Sequence, residues 1–168
     1  MRAVAANILA LSAAAALLAG CGPKKEEAPV MPSSAPLNVG SAAAPASATP
    51  EQQKLVAALP APFNSGDPVA GEGKTAQCKS CHTFAKGGPN LTGPVLWGVF
   101  GTKSAEVPGF AFSDPMKGAH LTWDAPTLDK WIENPTGLVA GTKMTFVGVK
   151  DPKDRQDIIA YLATLKDQ

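Results

Sequence analysis

Two thiols and an imidazole stand together at Cys78-Lys79-Ser80-Cys81-His82. Such a cluster suits a redox dithiol, a structural zinc site, a disulfide, or attachment of a haem through two thioethers. A dithiol of the thioredoxin kind needs a βαβ setting, and no alternating strand pattern longer than a few residues accompanies these residues. Zinc wants four ligands; beyond these three His120 is available, and His82, adjacent to Cys81, is badly placed to share one metal with it. Haem attachment uses every group. Thiols almost a helical turn apart add across two vinyl groups, and the histidine that follows turns its imidazole to the iron as proximal ligand.

A sixth ligand must come from elsewhere. Met116, Met144 and His120 are the candidates, because Met1 and Met31 lie in stretches that read as an export signal and a tether. A methionine in a small domain is usually core filler. Met144, however, belongs to a loop running from Asn134-Pro135 through Gly141-Thr142-Lys143-Met144, between two helical segments. Such a loop can cross an open haem face without disturbing helix packing.

The elements that position these groups are helices. Asp67-Pro68 caps a first one, which runs towards Cys78 and is weakened by Gly71 and Gly73. Asp124 opens a second, with Leu128, Trp131 and Ile132 apolar and a stop before Asn134-Pro135. Asp151-Pro152 opens a third, whose buried stripe is Ile158, Ile159, Leu162 and Leu165. The fold class is therefore all-α with long loops, and there is no internal repeat.

Composition divides the 168 residues into three parts. Residues 1–20 read as an export signal: Arg2, an Ala/Leu-rich stretch from Ala3 to Leu18, then Leu18-Ala19-Gly20. Leu18-Ala19-Gly20-Cys21 resembles the bacterial lipobox, which makes Cys21 the lipidated residue. Residues 21–62 form a Pro/Ala-rich tether that cannot bury enough to order itself. Within it Thr49-Pro50-Glu51-Gln52 has a capping-box pattern, followed by Leu55, Val56 and Leu59 on one face; this short helix either lies on the domain or forms only transiently. Residues 63–168 are the domain, near the lower size limit for a core built without a cofactor. The three cysteines are then all used, two for haem and one for lipid. Eleven basic and eleven acidic residues follow Phe63. A neutral domain gives no argument for nucleic acid or for general attraction to anionic lipid.

From about Asp67 to Leu165 the chain resembles class I cytochrome c, of the mitochondrial and bacterial c2-like type. The matching pieces are Cys78 to His82, Gly93-Pro94-Val95-Leu96-Trp97-Gly98-Val99-Phe100-Gly101, Leu121-Thr122-Trp123, Asn134-Pro135, Gly141-Thr142-Lys143-Met144, and Arg155 through Tyr161-Leu162. The resemblance implies a cytochrome c fold, three to five short helices and long loops around one covalent haem c. It makes His82 and Met144 the axial iron ligands and Cys78 and Cys81 the thioether residues. Pro94 becomes the carbonyl that orients His82, and Thr142 and Trp123 hydrogen-bonding groups around the cofactor. Gly71 and Tyr161 look like the close crossing of the first and last helices.

Several positions depart from the pattern. Thr102, Phe112 and Met116 stand where Arg, Tyr and Asn are common near the haem propionates. Trp131 replaces a Tyr and Ala140 a Pro. Gln77, Thr136 and Gly137 thin the family's ring of lysines, leaving Lys79, Lys86, Lys143 and Lys150 as either a small basic rim or scattered surface charge.

The function implied is one-electron transfer by a membrane-tethered, periplasmic-side monomer, not catalysis. Its redox partners would be a quinol–cytochrome c oxidoreductase and a terminal oxidase. Two alternatives stand beside it: a peroxidase or small-ligand binder with a labile methionine, and a haem subunit fixed in a larger oxidoreductase through Glu51–Leu59. Gly22 after the lipidated cysteine points to the outer membrane, whereas respiratory partners would sit at the inner one.

Overall fold

The computed structural model describes residues 47–167. The export signal, Cys21 and most of the tether lie outside the described residues. Among the described residues there are six α-helices: α1 (Pro50–Ala57), α2 (Pro68–Lys74), α3 (Asp114–Gly118), α4 (Ala125–Glu133), α5 (Pro135–Leu138) and α6 (Pro152–Thr164). No strand occurs among them, only an isolated antiparallel bridge between Lys103 and Thr122.

The three expected helices are α2, α4 and α6. Each starts where an aspartate accepts backbone N–H bonds and a proline occupies the first turn: Asp67, Asp124 and Asp151. The total exceeds the expected three to five because the same device works on shorter runs. Ser113 caps α3 and Asn134 caps α5, each with a proline in the first turn. The Asn134-Pro135 pair that ends α4 thus also begins α5. Neither short helix carries an amphipathic run, so periodicity does not signal them.

Helix α1 settles the question left open in the tether. Thr49 Oγ1 accepts from Gln52 N–H at 3.2 Å, and Gln52 Oε1 accepts from Thr49 N–H at 2.9 Å. Val56, Leu59 and Phe63 are buried, so α1 packs on the domain. Among the described residues the packed body therefore includes α1, ahead of residue 63. Three buried apolar side chains outweigh an Ala/Pro background that suggested disorder.

Helices α2 and α6 cross at Gly71. A Cβ there would lie 1.9 Å from the Asp157 carbonyl oxygen and 3.0 Å from Tyr161 Cβ, so only glycine permits this approach. Beside the crossing sits Asp157, buried on α6. Its carboxylate accepts from Asp67 N–H at 2.7 Å, from Lys74 Nζ at 2.6 Å, and from Lys153. Burial alone would raise the Asp157 pKa, but the two ammonium groups and the amide overcome it and hold the carboxyl below its ordinary value. Lys74, bonded to Asp154 and Asp157, is pushed up to about 12.

Helix α6 works on two faces. Ile158 and Leu162 line an internal cleft. On the other side, the Gln156 carbonyl and Ala160 Cβ lie against Gly66, in the segment that joins α1 to α2. At about 100° per residue these pairs lie on nearly opposite faces. Helix α6 therefore separates that joining segment from the cleft.

Candidate cofactor cleft

Helix α2 ends at Lys74, and the chain tightens from there into a 3-10 turn over Cys78–Ser80. The carbonyl of Thr75, a fully buried residue, accepts from Cys78 N–H at 2.9 Å and Lys79 N–H at 3.0 Å. The Cys78 carbonyl then accepts from Cys81 N–H at 3.0 Å and His82 N–H at 2.9 Å. These bonds turn Cys78, Cys81 and His82 onto one wall of the cleft. Neither cysteine is paired in a disulfide, and burial pushes the Cys78 thiol above its usual range. No three His, Cys, Asp or Glu side chains come together as a metal-holding group among the described residues, so the zinc reading has no ligand set.

His82 is fixed from two directions. Its Nδ1 lies 2.6 Å from the Pro94 carbonyl oxygen; a carbonyl only accepts, so Nδ1 carries the proton and Nε2 keeps its lone pair. Burial lowers the imidazole pKa, partly opposed by the Pro94 bond, and so favours the neutral ring that can ligate. Gly93 supplies the other restraint. A Cβ there would sit 2.3 Å from His82 Cε1 and 2.7 Å from each ring nitrogen. The ring occupies the space that a side chain would fill. Gly93 N–H in turn donates to the Cys81 carbonyl at 2.8 Å, tying this segment to the cysteine turn.

Met144 reaches the same cleft on the loop between α5 and α6. Its N–H donates to Thr142 Oγ1 at 3.3 Å, so the Thr142 hydroxyl shapes the methionine's own backbone. Lys143 Nζ donates to the Ala111 carbonyl at 3.0 Å, pinning the loop to the segment before α3. The other sulfur candidate, Met116, is buried on α3 and also lines the cleft. His120 is exposed, has φ +49°, and is absent from the cleft lining. Pro94, Trp123 and Thr142 all line it.

The cleft encloses about 330 Å³. Its walls are mostly apolar, with Leu96, Val99, Phe110, Phe112, Leu128 and Ile132 among them, and no Asp or Glu contributes. Apart from His82, the ionisable side chains with charge to offer are Lys103 and Lys143. Lys103 bridges to Thr122, next to Trp123, and Lys143 donates to the carbonyl of Ala111, next to Phe112. An apolar slot lined by two thiols and two lysines fits a flat apolar ring that bears carboxylates, as haem does. Trp123 and Trp131 both line the slot and pack on one another, with ring centroids 5.4 Å apart and planes tilted by 53°.

Sequence reading missed the part that Gly93 plays in seating His82, and that of Lys103. Gly93 stands in the matching stretch Gly93 to Gly101, but nothing in the sequence shows that it seats the imidazole, and nothing marks Lys103.

No family model matches the chain. Cytochrome c2 of Rhodomicrobium vannielii is 51% identical over 106 residues, covering 63% of this chain and 85% of the relative. Cytochrome c of Euglena viridis is 53% identical over 87 residues, covering 52% and 84%. Among solved structures, cytochrome cH from Methylobacterium extorquens matches with a TM-score of 0.56 and 51% identity, covering 59% of this chain and 99% of that one. With such identity over most of the relatives' length, and with the cysteine turn, the seated histidine and the apolar slot in one cleft, the chain belongs to the class I cytochrome c family: it is an electron carrier with one covalent haem c, not an enzyme.

Proposed function

We propose that this carrier is exported, held to a bacterial membrane by lipid on Cys21, and works on the periplasmic side. It would pass single electrons between a quinol-oxidising complex and a terminal oxidase. In this reading Cys78 and Cys81 form the thioethers, and His82 and Met144 are the axial ligands. The observation that carries it is that the cysteine turn and the Met144 loop, distant in sequence, line one apolar cleft. Haem bound there supplies a one-electron iron couple.

The protein's own groups account for the rest. Pro94 fixes the His82 tautomer and orientation, so Nε2 does not need to reorganise when the charge at the site changes. Met144 offers a neutral thioether, which favours the reduced state and raises the potential. The apolar walls exclude water, and two axial side chains leave no position for a substrate. That argues against the peroxidase alternative. Helix α1 and the residues after it bury Val56 and Leu59 on this domain, which leaves them unavailable as a contact with a larger complex and favours a free carrier over a fixed subunit.

The membrane reading is tested by Cys21→Ser in the full chain, expressed where haem can be attached. The substituted protein should keep its spectrum and move from the membrane to the soluble fraction. Lipoprotein acyl chains add about 0.8 kcal/mol of membrane affinity per buried CH₂, and the serine has none. Retention of the variant on the membrane would mean that the uncleaved segment 1–20 is the anchor.

A further inference from the structure

The loop that carries Met144 is gripped hardest at its far end. Gly148 takes φ +92°, and a Cβ there would lie 1.9 Å from the Glu133 carbonyl oxygen, so the loop backbone lies directly on the end of α4. Val149 N–H donates to the Ile132 carbonyl at 2.9 Å. Arg155, the second buried charge of α6, closes the joint. Its Nη1 donates to the carbonyls of Val149 at 3.1 Å and Lys150 at 2.9 Å, and its Nε donates to Asp129 on α4 at 2.7 Å. One guanidinium thus ties the loop end to both helices beneath it. Between this joint and Met144, Thr145 is exposed and Val147 is 81% exposed, and Phe146 is the side chain that packs inward.

We propose that Arg155 is a positioning residue for the axial methionine: it latches the end of the Met144 loop, and its grip sets how often the sulfur leaves its place. This rests on the assignment of Met144 above. Arg155 touches neither the cleft nor the methionine, and it acts through the backbone of Val149 and Lys150. Only a fork of fixed geometry can bind two carbonyls and a carboxylate at once, so lysine is an incomplete substitute.

The test is imidazole binding to the oxidised holo-protein, followed by stopped-flow absorbance. At saturating imidazole the rate reaches a plateau equal to the rate at which the loop opens. Arg155→Ala should raise the plateau roughly ten- to hundred-fold, the factor expected when one or two hydrogen bonds to a charged group are lost. Arg155→Lys should fall between it and the native protein, and Asp129→Asn should give a smaller rise. These two carry the test if the alanine variant does not fold. Asp157→Asn, at the α2–α6 crossing, should lower the melting temperature and leave the plateau unchanged. An unchanged plateau in Arg155→Ala, or in both milder variants, would overturn the latch alone. So would an equal rise in Asp157→Asn, since the plateau would then follow general stability. A native protein without a sulfur-to-iron absorption band would overturn the latch and the Met144 assignment together.

Discussion

Gly93→Ala adds one methyl group where the histidine ring already stands. The added carbon would lie 2.3 Å from His82 Cε1, against an ordinary contact of about 3.5 Å, so ring or backbone must move by about 1 Å. The ring cannot yield easily, because its Nδ1 is held 2.6 Å from the Pro94 carbonyl. Nor can the glycine, since its N–H is bonded to the Cys81 carbonyl at 2.8 Å. Overpacking of this kind costs about 1–3 kcal/mol, and losing a buried hydrogen bond adds about 1 kcal/mol. Gly93→Ala should therefore destabilise the holo-protein by about 2–4 kcal/mol in urea unfolding. It should also shift the iron–histidine vibration seen by resonance Raman in a reduced form whose sixth ligand has been removed. Gly73→Ala is the matched control: nothing lies within 4 Å of its added carbon, and alanine in a helix gains about 0.5–1 kcal/mol over glycine. If Gly93→Ala stays within about 0.5 kcal/mol of the native protein with an unshifted vibration, the seating of His82 by Gly93 is wrong.

The Asp157 carboxyl is held below its ordinary pKa, so its contribution is complete above the unfolded value, about 3.9, and is lost as pH falls through the lower folded value. Lys74, raised from 10.5 to about 12, contributes fully below 10.5 and loses its contribution as pH rises through about 12. Unfolding free energy measured against pH should thus decline at both extremes, and Asp157→Asn should flatten the acid limb; an unaltered acid limb would contradict the assignment. Leu59→Ala removes a buried contact of the α1 segment and should cost about 2 kcal/mol in thermal unfolding. Its visible spectrum should not change, because neither Leu59 nor any residue of α1 lines the cleft.

Much of the cleft was legible from local chemistry. The cysteine–histidine turn carries its own spacing, and each long helix announces itself by an Asp cap, a proline and an apolar stripe. Met144 was set apart from Met116 by its place in a loop and by resemblance. The structure places both on the cleft and removes only His120, whose exposed side chain stands outside it. The docking of α1 was not legible, because it depends on whether Val56, Leu59 and Phe63 find a surface, and that surface is made by distant residues of α6. The same holds for Gly93: its need to be glycine arises from an imidazole eleven residues away, which sequence spacing does not reveal. Arg155 stood in the sequence only as the start of a matching stretch, and its buried contacts with α4 and the loop are what give it a role.

Replacing the sulfur tests the ligand assignment most directly. The oxidised spectrum and midpoint potential should be measured for the native protein, Met144→Ala, Met116→Leu and His120→Gln, after confirming covalent haem in each. Met144→Ala should keep its haem through Cys78 and Cys81, lose the sulfur-to-iron band, bind imidazole without delay, and show a strongly lowered potential. Met116→Leu, a swap of similar volume costing under about 1.5 kcal/mol, should retain band and potential, as should His120→Gln. Loss of the native low-spin spectrum in Met116→Leu or His120→Gln, with the band preserved in Met144→Ala, would contradict the assignment and the electron-transfer site built on it.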